Sequence, residues 1–269
     1  MNSISPSIFA EIQKCLVGIE REHSVRVLYA CESGSRAWGF ESQDSDYDVR
    51  FIYVRPQSWY LAIDVERKRD VIEVPISDDL DISGWDVRKT LQLFHKSNPP
   101  LNEWLISPIV YMEHGEFTNQ LRDLAPESYN PIAAHYHYLR MAANNFRSYL
   151  KGKIVRRKKY LYVLRPLLAV NWIASKKGVV PIEFDQLVAG TISDGMLLNE
   201  IGELLKLKRG GMESDEGPRF HTIHAFIESE MARHGDEHKQ SPGYRAKIST
   251  LNDLFRQTIE NDAPPNDRF

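Results

Sequence analysis

The spacing of apolar residues predicts a first part of the chain that mixes helices and strands. Apolar positions recur at helical spacing in residues 6–20, and in residues 24–31 the side chains of Val25, Val27 and Tyr29 then alternate with those of residues 26, 28 and 30, which predicts a helix followed by a strand. Asp86 precedes a further set of apolar residues at helical spacing, so we expect it to cap a helix. Short strands separated by polar or proline-bearing turns are predicted at residues 47–54, 60–63, 71–76 and 80–83.

The strand pattern fades from about Pro126 onward, and amphipathic helices are predicted instead. Apolar residues from Ile132 to Leu150 recur at alternating steps of four and three, as on one face of a helix. We therefore expect an α+β protein with a mixed domain over residues 1–125 and an all-helical domain over residues 126–269. Further helices of the second domain are predicted at residues 158–176, 195–208, 223–231 and 251–259.

Composition and charge exclude several classes of protein. The chain of 269 residues is 42% hydrophobic and can bury a core, while its formal charge of −3 argues against coating nucleic acid by bulk charge. Two cysteines, Cys15 and Cys31, and the absence of metal-type Cys/His spacing exclude a disulfide scaffold and a zinc finger. Since no uncharged stretch approaches the length of a membrane span, we expect a cytoplasmic protein without a membrane partner.

The stretch between the first two predicted strands carries candidate chemistry. A predicted strand runs into Gly34-Ser35, and eleven residues after Ser35 comes Asp46-Tyr47-Asp48 at the start of the next strand. Because side chains alternate along a strand, Asp46 and Asp48 are expected on one face, where paired carboxylates attract Mg²⁺. Gly34 lets the backbone approach a ligand closely, and Ser35 is expected to hold phosphate oxygens. The pattern therefore predicts a site for a cation and a phosphorylated ligand.

This stretch resembles the nucleotidyltransferases of the DNA polymerase β superfamily, in which a Gly-Ser turn is followed roughly ten residues later by Asp-x-Asp on a strand. The string GSRAWGFESQDSDYDVRFIY, followed by LDISGWDVRK, SNPPLNEWLISPIVY and KKYLYVLRPLLA, is more similar still to a bacterial and phage family of nucleotidyltransferases associated with RNA repair. The resemblance spans roughly residues 25–175. It implies a polymerase β-like domain with a small mixed sheet.

The resemblance also implies a third carboxylate on a later strand. We identify it with Asp81, which is flanked by apolar residues, while Glu73 is the competing position. The implied mechanism is two-metal nucleotidyl transfer, in which Asp46 and Asp48 hold Mg²⁺, or Mn²⁺, on a nucleoside triphosphate. Asp81 completes the second metal site and helps to deprotonate the attacking hydroxyl.

Two further parts of the chain are expected to meet the triphosphate. Arg36 follows the Gly-Ser turn and either steadies the β and γ phosphates with Ser35 or serves as a structural partner of an aspartate. Residues 151–165 carry seven basic residues and no acidic one. On a helix Lys158, Tyr162 and Arg165 share one face and are expected to bind the triphosphate; the alternative is a solvated basic face with Tyr162 in the core.

The resemblance favours an RNA end as the acceptor of the nucleotide, bound in part by the remainder of the basic run. Protein or small-molecule acceptors are also found in this superfamily. An alternative from another class is a non-catalytic nucleotide-binding module, or a regulatory module similar to antitoxin nucleotidyltransferases. The nucleotide used, a protein partner and the oligomeric state do not follow from the sequence.

Overall fold

A computed structural model describes residues 4–76, 79–211, 216–235 and 246–265, which form two compact units. The first unit comprises the described parts of residues 1–37, 46–129 and 244–269, and the second comprises those of 38–45 and 130–243. The strands are β1 (Arg26–Ser33), β2 (Tyr47–Val54), β3 (Val71–Glu73), β4 (Leu80–Asp86), β5 (Val110–Glu113), β6 (Ile154–Arg156) and β7 (Glu216–Pro218).

Twelve α-helices and one short 3₁₀ helix (Val65–Arg67) accompany the strands in the described ranges. The α-helices are α1 (Pro6–His23), α2 (Gly34–Trp38), α3 (Gln57–Tyr60), α4 (Val87–His95), α5 (Pro99–Leu105), α6 (Phe117–Ser128), α7 (Pro131–Tyr149), α8 (Lys159–Ala174), α9 (Phe184–Thr191), α10 (Gly195–Arg209), α11 (His221–Gly235) and α12 (Ile248–Asp262).

The first unit is built on a five-stranded mixed sheet in the order β3-β4-β2-β1-β5. Strands β2 and β4 run parallel, whereas the other neighbours are antiparallel. Apolar clusters cover both faces of the sheet, so that Val27 and Ala30 of β1 pack on one side and Leu28 and Cys31 on the other. Burial on both faces explains why the central strands read as nearly continuous apolar runs.

The second unit is organised around α8, whose side chains are buried along nearly its whole length. Helix α7 packs along α8, and α9 and α11 also contact it. The unit includes a two-stranded antiparallel sheet, β6 with β7. The prediction of an all-helical second part is therefore wrong in this detail, because strands of three residues are too short to show an alternating pattern.

Several predicted elements are confirmed, while one predicted strand is wrong. Strand β2 has the predicted bounds, and the Asp86 carboxylate caps α4 by accepting from the N–H of Arg88 at 2.8 Å. In place of the predicted strand at 60–63, α3 ends at Tyr60 and residues 61–63 form an irregular turn. Leu61 and Ile63 are exposed, so the apolar residues of this segment do not mark a buried strand.

The two units divide the chain differently from the predicted boundary at residues 125 and 126. Helix α12 joins the first unit, because Leu251 and Leu254 enter the apolar cluster that contains α4 and α5. Residues 38–45 join the second unit, where the ring of Phe40 lies edge-on against that of Phe184. Each unit is therefore assembled from separate stretches of sequence.

Candidate functional site

The parallel pairing of β2 and β4 brings two of the predicted carboxylates together. Asp48 and Asp81 are register partners, so their side chains leave the sheet on the same side. Both lie near the carboxyl-terminal end of β1, where the chain turns into Gly34. Glu73 lies on the edge strand β3, is exposed and pairs with Arg69. The structure thus brings Asp81, and not Glu73, next to Asp48.

Arg50 joins the two carboxylates. Its Nη2 atom lies 2.7 Å from Oδ2 of Asp81 and 3.2 Å from Oδ1 of Asp48. Its Nη1 atom donates to the main-chain oxygens of Asp81 at 2.8 Å and Val49 at 3.0 Å. The guanidinium is therefore held against the strands at four points, two of them charged.

Glu32 lies beneath Asp48 and is completely buried. Its Oε1 atom accepts from the N–H of Asp48 at 2.9 Å, and the hydroxyl of Tyr111 donates to Oε2. Burial raises the pKa of Glu32 to about 7. The pKa of Asp48 is raised as well, mainly by burial and further by the charges of Asp81 and Asp46, while Arg50 opposes the shift.

Gly34 makes the closest approach to this group. It has a φ of +63°, and a Cβ atom built on it would lie 1.9 Å from Oδ2 of Asp48. The absence of a side chain on Gly34 therefore lets the turn approach the Asp48 carboxylate. The sequence had predicted that Gly34 approaches a phosphate instead. Ser35 follows in α2 and is buried.

Asp46 precedes β2 and is exposed, and Arg36 holds its backbone. The Nε atom of Arg36 donates to the main-chain oxygen of Asp46 at 3.2 Å, and the guanidinium lies 3.9 Å from the centre of the Tyr47 ring. These contacts correspond to the structural reading of Arg36, with the partner being the backbone of the aspartate. A role for Arg36 or Ser35 toward phosphate stays a prediction.

The segment between the two halves of the motif is fixed within the second unit by Lys208. Its Nζ atom donates to the hydroxyls of Ser42 at 2.7 Å and Ser45 at 3.0 Å. A hydrogen bond from Ser42 lowers the pKa of Asp44, and the charges of Lys208 and Lys158 lower it further. Lys208 was not predicted, because more than 160 residues separate it from these serines.

Two of the three residues that were predicted to bind the triphosphate from α8 pack against other side chains of the second unit. Arg165 is only 2% exposed; its Nη2 atom donates to the main-chain oxygen of Ile182 at 3.0 Å, and its guanidinium lies 4.5 Å from the Trp38 ring centre. Tyr162 packs edge-on against Trp38 as well. Lys158 is partly exposed at the start of α8. Arg165 and Tyr162 thus pack within this unit, and the carboxylates belong to the other.

The side chains at the strand ends fit a divalent cation by their chemistry. Within the described ranges, no three His, Cys, Asp or Glu residues converge as a complete metal site. Mg²⁺ usually keeps several waters and binds through one or two carboxylates together with substrate phosphates, so the pair Asp48 and Asp81 is a suitable set. Asp48 and Asp81 each carry a negative charge when ionised, and a cation bound between them would neutralise that charge.

One family model matches nearly the whole chain, and the chain is similar to two known proteins. The model of the family described as RlaP, RNA repair pathway DNA polymerase beta family, matches residues 8–257. "Uncharacterized protein YcgL" of Bacillus subtilis (strain 168) is 50% identical over 243 residues, which is 90% of this chain and 93% of that protein. A solved structure of a nucleotidyltransferase-like protein from Exiguobacterium sibiricum 255-15 aligns with 92% of this chain and 75% of its own, at 11% identity and a TM-score of 0.31.

The sequence also led to expectations about membrane spans and cysteines. No helix in the part of the chain that the structure describes has both the length and the apolar character needed to span a membrane. Cys15 and Cys31 are free thiols, and Cys31 is buried.

Proposed function

The chain belongs to the RNA repair pathway DNA polymerase β family, and we propose that it transfers a nucleoside monophosphate from a nucleoside triphosphate to an acceptor hydroxyl, releasing pyrophosphate. The observation that carries the proposal is the register pairing of Asp48 with Asp81 beside Gly34. Two half-buried carboxylates at adjacent strand ends, next to a turn without a side chain, suit a cation-bound triphosphate.

The residues of this site have separate roles in the proposed reaction. Asp48 and Asp81, with Asp46 at the edge, would hold Mg²⁺ or Mn²⁺, which when bound neutralises charge on the triphosphate and on the leaving pyrophosphate. Gly34 keeps the path to Asp48 clear of side-chain atoms. Glu32 fixes the backbone of Asp48 from below, so that its carboxylate is oriented before a substrate arrives.

An RNA end is the acceptor that we favour. The description of the family supports it, and so does the exposed part of the basic run. Lys151 and Lys153 are exposed next to β6, where they are available to phosphate groups, whereas the exposed Arg156 is paired with Glu216. Because the chain as a whole is slightly acidic, we expect this contact to be local and to weaken as salt concentration rises.

The proposal is tested by incubating the protein with Mg²⁺ and each labelled nucleoside triphosphate, offering as acceptor an RNA with a 3′ hydroxyl, the same RNA with a 3′ phosphate, or bulk protein. We expect label transfer and pyrophosphate release with the 3′ hydroxyl RNA, lost in Asp48→Asn and retained in the matched control Glu73→Gln. Label transferred to bulk protein and not to RNA would show that the acceptor is a protein. Nucleotide binding without transfer to any acceptor would favour the non-catalytic module.

A further inference from the structure

We propose that Arg50 acts as a stand-in cation, holding Asp48 and Asp81 together until a divalent cation binds and displaces its ion pairs. The inference rests on the proposed function, because it takes the two aspartates as the ligands of that cation. Arg50 is then a positioning residue, and its charge competes with the cation for the same two carboxylates.

The contacts of Arg50 divide into a part that a cation would displace and a part that it would leave. The Nη2 atom bonds to one oxygen of each carboxylate, at 2.7 Å for Asp81 and 3.2 Å for Asp48. The Nη1 atom bonds to two main-chain oxygens, those of Asp81 and Val49. The main-chain bonds need no carboxylate charge, so the guanidinium stays anchored when its ion pairs are broken.

The ion pairs of Arg50 are less exposed to solvent than an ordinary surface pair. The side chains of Arg50, Asp48 and Asp81 are 19%, 28% and 35% exposed. Charges that are partly shielded from water are screened less by solvent and salt than exposed ones. The Arg69–Glu73 pair of the same unit is 69% and 62% exposed and provides a contrast. Competition with a cation should therefore be measurable at Arg50 and absent at Arg69.

The second carboxylate oxygen of Asp48, Oδ2, shows what Arg50 leaves for a cation to contact. Arg50 contacts Oδ1, whereas Oδ2 faces Gly34. The charges of Arg50 and, more weakly, Arg36 act on Asp48, while Asp81 and Asp46 add negative charge, so three carboxylates face two guanidinium groups. A divalent cation would supply the missing charge, and the guanidinium would then meet a like charge at short distance.

The sign of one measurement separates this inference from an ordinary orienting role. A partner that only orients metal ligands lowers metal affinity by about 10–100-fold when it is removed. A competing cation does the opposite, because its removal leaves the carboxylates more negative and free to bind. We therefore expect Arg50→Gln to bind Mn²⁺ more tightly than the wild type.

The experiment measures Mn²⁺ affinity by electron paramagnetic resonance and thermal unfolding with and without Mg²⁺, both without nucleotide. We expect Arg50→Gln to bind Mn²⁺ about tenfold more tightly, opposite in sign to the loss of an orienting partner. It should unfold at a lower temperature than the wild type without Mg²⁺ and regain most of the difference with it. Arg69→Gln is the matched control and should behave like the wild type.

A second variant and one reference keep the result decisive. Arg50→Lys keeps the charge without the fork that reaches both carboxylates, so we expect an affinity gain of about threefold, and it replaces Arg50→Gln if that variant does not fold. Affinity equal to or below that of the wild type would overturn the inference. Wild-type Mn²⁺ binding must be lost in Asp48→Asn; if it is not, the cation assignment of the proposed function fails together with this inference.

Discussion

Arg50 and Arg165 are two arginines in contrasting environments. Arg50 lies in the first unit at the end of the sheet, partly exposed, and its guanidinium faces two carboxylates. Arg165 lies in the core of the second unit, where it bonds to a main-chain oxygen and stacks on an indole ring. In the first arrangement a bound ligand can replace Arg50 as the partner of the carboxylates. In the second, the guanidinium of Arg165 has its partners within the core of the protein.

The difference shows that charge alone does not locate a site. A guanidinium that bonds to carbonyl oxygens and stacks on an aromatic ring in the core is part of the packing, so its removal should lower the stability of the fold. A guanidinium that meets carboxylates at a strand end is paired by charge, and a change there should affect ligand binding first. The following substitutions test this contrast, beginning with the largest expected effect.

Asp48→Asn should lower kcat/KM for nucleotidyl transfer by about a thousandfold or more, since a cation ligand supports several kcal/mol of transition-state stabilisation. The near-isosteric amide should leave the fold intact, and Arg50 still has Asp81 as a partner. Circular dichroism and steady-state kinetics check the two statements. Turnover near that of the wild type would remove Asp48 from the reaction.

Arg165→Ala should lower the free energy of unfolding by about 3 kcal/mol, because it leaves a cavity and an unpaired carbonyl in the core. Nucleotide affinity, measured on the folded fraction, should stay unchanged. Lys153→Ala, an exposed change in the same basic run, should stay within about 0.5 kcal/mol of the wild type in urea unfolding. Weaker nucleotide binding with full stability would instead support the prediction that Arg165 binds the triphosphate.

Glu32 should make the protein less stable as the pH rises toward neutrality. Its pKa is raised from 4.5 to about 7, so the folded state holds the proton more tightly than the unfolded chain. This contribution is complete below about pH 4.5 and is lost as the pH passes 7, a change on the order of 3 kcal/mol.

Urea unfolding of the wild type and Glu32→Gln across pH 4–8 checks this prediction. The amide cannot titrate, so the stability of the variant should depend less on pH. Burial also raises the pKa of Asp86, to about 6, but that group is present in both proteins and cancels in the difference. Parallel curves for the two proteins would show that Glu32 does not titrate in this range.

Gly34→Ala should cost about 2–3 kcal/mol of stability and weaken Mn²⁺ binding, since the new Cβ meets the Asp48 carboxylate and the φ is positive. Gly39→Ala is the control: its φ is +84°, but apart from its chain neighbours no atom in the described ranges lies within 4 Å of the added Cβ. It should cost about 1 kcal/mol and leave Mn²⁺ binding unchanged. Equal effects of the two on Mn²⁺ binding would attribute the loss to backbone strain alone.

Most of the carboxylate region could be predicted from sequence, because it depends on strands with strong apolar patterns. The bounds of β2 followed from its pattern, and the family resemblance pointed to Asp81. Glu32 and Arg50 could not be assigned in this way. The environment of Glu32 depends on Tyr111, 79 residues away on a four-residue strand that the pattern did not reveal, and that of Arg50 depends on the pairing of β2 with β4.

The basic run shows where local patterns stop being informative. Helical spacing placed Lys158, Tyr162 and Arg165 on one face, and α8 does begin at Lys159. The environment of that face depends on Trp38, which is distant in sequence, and on Ile182, which follows α8. Neither contact can be read from the spacing within the helix. A cluster of positive charge in the sequence therefore contained both exposed residues and one of the most buried side chains of the protein.

The division of the chain among the two units has a consequence for its synthesis. The polypeptide passes from one unit to the other after residues 37, 45 and 129 and again before residue 246, so a single cut does not separate them. On the ribosome, the sheet of the first unit is finished once β5 has emerged, yet the apolar surface that α12 covers waits for more than a hundred further residues. A truncation that removes α12 should therefore expose apolar surface on the unit that carries the carboxylates and lead it to aggregate, even though every residue of the candidate site is still present.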